Sequence, residues 1–516
     1  MLRRLVFELY LRHVRTLFMQ KRLYILYPFS SLLIGLFLAQ ILATVQVYLS
    51  NTHLYNSLLA IKNAGYLPVP NRYIMDQLHN FAPAFCGGLF FTFSIGAGIS
   101  FFSMGMAWIW DRLFFRKRVL LYLFIFLWVL CLLLINLHGF DFLFTLYFLV
   151  IPPAVFTFTV RSLTYLDKQN KRRNEIIHII PVIVLAFLLS WQLDNKMFSD
   201  FRDIFLFSNP VGSRINSFYY KYTLYAAEVF KSLDQKMLKT YRLDKSKNNA
   251  ATISFEKILI DHDYIPLKSH TDVDLEIAYA DDDFIFENHG EPILKISSKA
   301  FFADPGKAIK QFAKKSDPFA LFRQIIFLSL LIGFPLAVYV LGYGLMAIFL
   351  SLFLSVRKSS LIASAVCFFL CLILIFSFYF NRREDVSPEN LANALNSDRW
   401  QTRVAALKAI NKKGLDIKQF QAYPQLLASS NIAERYWLAR TLANSRSAST
   451  YRDLLNFLDD PHPNVVSMAF YALGKRGNRQ AIDTIISKIE TAQDWYCQWY
   501  AYNALKSLGW RQKKSN

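Results

Sequence analysis

Charge is missing from the greasiest parts of this sequence. Runs such as LYPFSSLLIGLFLAQILATVQVYL (26–49) and VLLYLFIFLWVLCLLLINL (119–137) hold no Asp, Glu, Lys or Arg. Ionisable residues inside a bilayer mark ion and proton pathways, so their absence argues against a proton- or sodium-coupled transporter. Cysteine is scarce as well, with five in 516 residues. Cys86, Cys131, Cys367 and Cys371 lie in apolar runs and Cys497 stands alone. That distribution excludes a disulfide framework and any Cys/His zinc spacing. Cys367 and Cys371, one helical turn apart, read as small packing residues. No G-x-S-x-G elbow and no D-x-D-x-D-G calcium loop is present. With no catalytic constellation in view, the chain reads as a non-enzyme without a cofactor.

What the sequence does have is apolar surface. Composition is 54% hydrophobic and 16% aromatic, too rich for an ordinary soluble protein. The charge-free runs exceed the roughly 18–20 residues a helix needs to cross a bilayer. The fold class expected is therefore a polytopic α-helical membrane protein of about seven spans, near 23–49, 81–110, 119–137, 142–160, 176–192, 321–355 and 360–380. The first run is long enough to span rather than be cleaved as a leader. Ahead of it, residues 1–22 interleave Leu, Val and Phe with arginine, as a basic amphipathic interfacial helix does. The domains expected are this helix, a five-span membrane domain at 23–192, an extramembrane module at 193–319, two further spans at 320–380 and a C-terminal domain at 381–516. Gly96 and Ser100 have the small-xxx-small spacing of close helix packing. Pro152–Pro153 and Pro181 predict kinks or early span ends. The block 319–356 is longer than one span needs and reads either as one kinked helix or as a re-entrant hairpin.

The formal charge of +21 is explained by topology rather than by nucleic acid. Arg3, Arg4, Arg12, Arg15, Lys21 and Arg22 flank the first span, Arg112 to Arg118 the second connection, and Arg161 to Arg173 the fourth. The loop 50–80 carries only Lys62 and Arg72. The positive-inside rule then sets the N-terminus in the cytoplasm. Residues 193–319 and everything after Phe380 are expected on the periplasmic face of a bacterial inner membrane.

Residues 193–319 read as an α+β module. The stretch from Asn209 to Leu243 begins with turn residues and continues helically. TISFEKILI, DLEIAYA and FIFENHGEPILKI read as strands, the last as a hairpin around Asn288–Gly290. Acids crowd this region, and Asp261, Asp263, Asp281, Asp282 and Asp283 form a weak candidate cation site, since hard cations favour oxygen clusters. The competing reading is an acidic surface that docks a basic partner or the chain's own basic C-terminal tail. His262, His270 and His289 lack a nucleophile beside them and read as surface residues.

Four C-terminal segments share one pattern: TRVAALKAIN, RYWLARTLAN, VVSMAFYALG and CQWYAYNALK. Their alanines Ala406, Ala439, Ala469 and Ala501 recur every 30 to 33 residues, a helical-repeat period. Each segment follows a second short helix. In the third, Val465, Met468, Ala469, Ala472 and Leu473 form the inward stripe, with Phe470 and Tyr471 expected outward. On these residues the region 386–516 resembles HEAT-like repeats, in particular the short bacterial PBS-lyase-type repeats whose second helix reads V-R-x-A-A-x-x-A-L-G. The resemblance implies an α-solenoid that binds partners and implies no chemistry. Arg403, Tyr436, Trp437, Arg440, Phe470, Tyr471, Trp499 and Tyr502 have the composition of a protein-binding surface.

The function expected is an inner-membrane platform that docks proteins through a periplasmic HEAT-like solenoid, in assembly, secretion or envelope biogenesis. Its partners would be the lipid bilayer and one or more proteins in a membrane complex, with no nucleic acid. The alternative is a membrane enzyme or a lipid- or polysaccharide-handling factor. Its site would lie at the outer membrane face, near His138, Asp141 and the loop residues His53, Asp76 and His79.

Overall fold

The computed structural model describes residues 27–137, 140–167, 176–190, 194, 196–243, 250–267, 272–280, 283–382 and 386–514. The expected interfacial helix at 1–22 lies outside the described residues. The chain forms two compact units. One comprises residues 1–47, 85–193 and 318–377, and the other residues 48–84, 194–317 and 378–516.

The first unit is helical. Among the described residues, six helices are long and apolar enough to cross a membrane: Pro28–Asn63, Phe81–Leu113, Arg118–Ile135, Phe142–Thr164, Ala320–Leu350 and Lys358–Asn381. The fifth expected span is shorter, a 15-residue helix at Ile176–Ser190. Pro152 and Pro153 do not end their helix, which continues to Asp167. The long block beginning at Ala320 is one helical run rather than a hairpin, widened by a π turn at Ser329–Gly333. A second π turn, Thr92–Gly96, interrupts the helix that carries Cys86.

Small residues set the helix crossings in this unit. A Cβ on Gly96 would stand 2.4 Å from the Ala39 methyl, and one on Gly35 would stand 1.9 Å from the Ser100 hydroxyl. Gly98 and Gly333 meet in the same way, with a Gly333 Cβ only 3.1 Å from the Gly98 nitrogen. Several polar side chains bond across these crossings. Gln40 donates to the Phe85 carbonyl at 2.9 Å and accepts from the Thr92 hydroxyl at 2.6 Å. Thr159 bonds the Ser31 hydroxyl at 3.0 Å.

The second unit joins an α+β module to the helical repeats. Its sheet has the order β2-β1-β3-β4-β5, with β1 at Lys239–Leu243, β2 at Tyr264–Pro266, β3 at Leu275–Ala280, β4 at Asp283–Asn288 and β5 at Glu291–Ser297. β1 runs parallel to β2 and β3, and β3, β4 and β5 are antiparallel. The hairpin turns at His289 and Gly290, both at positive φ, as its sequence predicts. Two expectations fail here. TISFEKILI belongs to a helix, Ala250–Asp261: Phe255 and Leu259 are buried one turn apart while Ile253 is 72% exposed, a helical stripe rather than alternation. Conversely KTYRL, read as the end of a helix, is strand β1, between β2 and β3 in the sheet. Tyr241, Phe255, Leu259, Phe284, Phe286 and Phe312 fill the core between sheet and helices.

The repeats are four helix pairs. Their second helices are Trp400–Lys413, Ile432–Thr441, Pro463–Arg476 and Trp495–Ser507. Gly414 and Gly477 end the first and third at positive φ, the left-handed conformation that glycine adopts without a Cβ clash. In the third, Val465, Met468, Ala469, Ala472 and Leu473 are buried as expected. A Cβ on Gly474 would stand 2.8 Å from Ala504 Cα, so Gly474 and Ala504 are the point where the third and fourth second helices touch.

Candidate functional site

The second helices of the solenoid are the surface where the sequence places partner-binding residues. Their aromatic side chains do not stand free. Phe470 is fully buried and Tyr436, Trp437 and Tyr502 are buried, so the expectation that such residues project outward is corrected. Arg403, Arg440, Tyr471 and Trp499 are half-buried. Arg403 spends its guanidinium on Glu434 of the next repeat, at 2.6 and 2.9 Å. Arg440 lies over Trp437 and Tyr471, with centroid distances of 5.3 and 5.4 Å. Trp499 packs on Tyr500.

What covers this surface is the chain itself. Residues 194–231 run across the second helices in the order of the repeats. At the first repeat, Lys408 pairs with Asp200 and Asp203, both at 2.8 Å. At the second, the Trp437 indole donates to Asp203 Oδ2 at 2.8 Å. There the Arg202 guanidinium also sits 4.0 Å over the Tyr436 ring. Phe207 then bridges Tyr436 and His462, at 5.7 and 5.3 Å between centroids. At the third, Asn216 donates to Asn464 Oδ1 at 2.9 Å. At the fourth, Tyr220 meets Tyr496 edge to face at 4.4 Å and Lys231 lies over Trp495. Asp200 and Asp203 are buried, and buried carboxylates persist only when paired. Asp203 has Arg202, Lys408 and Trp437, and Asp200 has Lys408 and Arg382.

The loop 64–72 closes the end of the same surface. The Asn71 amide donates to Gln498 Oε1 at 2.8 Å. Gln512 bonds Leu67 in both directions, accepting at 3.1 Å and donating at 2.8 Å.

His462, which opens the third second helix, is buried against Phe207, and neither ring nitrogen has a hydrogen-bond partner. Burial pushes it down to about 4; Arg435 and Arg202 act in the same direction and Asp460 against it. Cys497 is buried beside Ser467 and the Pro463 carbonyl, and burial pushes its thiol up to about 12. The thiolate, the reactive form, is thereby suppressed.

Two of the candidate cation acids, Asp261 and Asp263, pair with residues near the C-terminus. Asp263, at positive φ, accepts from the Tyr502 hydroxyl at 2.8 Å and pairs with Lys506. Asp261 pairs with Arg511 at 3.3 Å, and Asp283 with Lys295 at 3.1 Å. Asp281 and Asp282 lie outside the described residues. Among the described residues no group of three or more His, Cys, Asp or Glu side chains is arranged to hold a metal ion. Of the acidic stretch, Asp261 and Asp263 meet basic residues near the C-terminus, whereas Asp274 pairs with Lys236. Of the residues considered for an enzyme, Asp141 caps a helix by accepting from the Phe144 amide at 2.8 Å. His79 packs on Tyr55, the rings tilted by 59° with centroids 3.9 Å apart, Asp76 lies in the first turn of the short helix Tyr73–Gln77, and His138 lies outside the described residues.

Sequence reasoning missed the other half of this surface: Arg202, Asp203, Phe207, Asn216 and Tyr220. The signal present was FSDFRDIFLF, where two carboxylates interrupt an aromatic helical stretch and must find partners if that stretch is buried.

With this geometry in view, the comparisons decide one point. Residues 421–506 match the family model for HEAT repeats. No curated protein and no solved structure matches the chain. The match covers the second to fourth repeats, and helical repeats of this kind suggest protein–protein interaction in general.

Proposed function

We propose that the chain is a multipass inner-membrane platform whose HEAT-like solenoid gathers its separate extramembrane segments into one body and presents that body to partner proteins on the periplasmic side. The observation that carries this reading is the composition of the second unit. Residues 48–84, 194–317 and 378–516 pack together, although apolar helices separate them in sequence. Segments that share a core share one side of a bilayer. An even number of crossings is then needed between residues 84 and 194. Four candidates supply it if the helix Ile176–Ser190 crosses. At 1.5 Å per residue its 15 residues rise roughly 22 Å, and no charged residue follows before Asp194. A seven-span topology follows, with the N-terminus opposite the solenoid, in accord with the basic flanks. The helix Arg118–Ile135, uncharged after Arg118 and with no buried residue, supports a lipid environment as well.

Because residues 194–231 occupy the second-helix face, partners would dock on the first-helix side of the solenoid, where Arg452 and Arg479 are exposed. The test is a pair of alkaline phosphatase fusions, one after Asn516 and one inserted in the polar stretch 244–249. Activity in both is expected. Activity in one alone sinks the one-sided unit, and activity in neither, with an active cytoplasmic reporter, reverses the orientation.

A further inference from the structure

The helix Pro305–Lys315 is amphipathic in an unusual sense, because its outer face is basic throughout. Ala308, Ile309, Phe312 and Ala313 are buried, and Phe312 packs on Phe286 of β4. The opposite face exposes Lys307, Lys310, Lys314 and Lys315, with Lys299 exposed on the preceding helix, Ser298–Ala303. Lys307, Lys310 and Lys314 follow one another at helical spacing and share one exposed face with Gln311. Asp304, at its end, caps the helix by accepting from the Lys307 amide at 2.9 Å. Among the described residues none of the five lysines forms an ion pair. Helix polarity accounts for Lys314 and Lys315 in the last turn but opposes Lys307 in the first. Only residues 316–319 separate Lys315 from the helix that begins at Ala320. Fully extended, that connection reaches at most about 17 Å.

We infer that this helix is a headgroup-binding element, whose lysine row engages the phosphates of anionic lipids in the bilayer that the helix Ala320–Leu350 enters. Charge complementarity and the short covalent tether together select this occupant. A juxtamembrane lysine near an anionic surface gains about 1 kcal/mol, and three in a row on a helix pinned by its apolar face act without a backbone ordering cost. Positive-inside bias does not account for them, since the proposed topology puts them on the outer side. The inference rests on the membrane reading only in requiring the helix Ala320–Leu350 to be inserted.

The test is acetylation footprinting of the full chain, read by mass spectrometry, in nanodiscs of phosphatidylcholine alone or mixed with phosphatidylglycerol. Lys307, Lys310 and Lys314 should label several-fold more slowly in the anionic discs, roughly the effect of 1 kcal/mol, while exposed Lys257 labels equally in both. Raising the ionic strength should remove the protection. The triple variant Lys307→Gln, Lys310→Gln, Lys314→Gln, on an exposed helix face, should fold normally and co-purify with less phosphatidylglycerol. Equal labelling in the two discs overturns the inference. So does equal protection by inorganic phosphate in phosphatidylcholine discs, which would assign the row to a soluble anion. Failure of the chain to enter either disc counts against the membrane reading and is scored separately, by co-elution with the disc.

Discussion

The indole N–H of Trp437 donates to Asp203 Oδ2 at 2.8 Å, between residues 234 apart in sequence. Lys408 reaches the same oxygen at 2.8 Å. The bond joins the second repeat of the solenoid to the segment that crosses it, and both side chains are buried. Trp437→Phe removes one charge-assisted bond and should cost about 1.5–3 kcal/mol. Asp203→Ala strands Arg202, while Lys408 keeps Asp200, and should cost more, about 3–5 kcal/mol. Thermal melts of the purified chain check the order, and faster proteolysis within 194–231 checks the location.

Acid should loosen the same surface through His462. Its folded value, about 4, lies below the ordinary 6.5 or so of an unfolded histidine. The unfolded chain therefore takes up a proton first as pH falls. Stability is lost between about pH 6.5 and 4 and levels off below. The loss approaches about 3 kcal/mol. His462→Phe should flatten that part of a stability–pH curve. An unchanged slope in the variant would assign the pH dependence to other groups.

The C-terminal tail is held by Asp263, which receives Tyr502 and Lys506. Lys506 is partly exposed, so solvent weakens the ion pair. Asp263→Asn keeps a side chain suited to positive φ and should cost only about 1 kcal/mol. Its signature is earlier cleavage by trypsin after Lys506 and Arg511. In a double-mutant cycle, Lys506→Gln should add little to Asp263→Asn.

Glycine contacts in the first unit set a contrast. Gly96→Ala puts a methyl 2.4 Å from the Ala39 methyl, whereas Gly105→Ala meets nothing within 4 Å. The first should lower thermal stability in detergent by the equivalent of about 1–3 kcal/mol, and the second should leave it unchanged. Equal effects would remove Gly96 as a crossing point.

Much of this architecture is legible because it is local. The alanines at 30- to 33-residue spacing specify helix pairs that cannot bury their stripes alone, and four pairs form. The charge-free runs specify long helices by length and composition. Where local signals were ambiguous, neighbours decided. TISFEKILI alternates well enough for a strand, yet Phe255 and Leu259 face one core as a helix. Among the described residues, pieces far apart in sequence likewise regroup into two units, since packing joins pieces that composition lists apart.

HPNVVSMAFYALGKRG, by its own residues, determined a proline-started, glycine-ended helix with Val465, Met468, Ala469, Ala472 and Leu473 inward. The tertiary structure alone decided what meets its other side. His462 lies against Phe207, because a segment more than 200 residues earlier brings Asp200, Asp203, Phe207 and Asn216 to the repeats. Helix period is written in neighbouring residues, one turn at a time. The partner of a helix face is not, because desolvating an aromatic surface is equally favourable against any complementary surface, and only the folded chain shows that this one supplies its own.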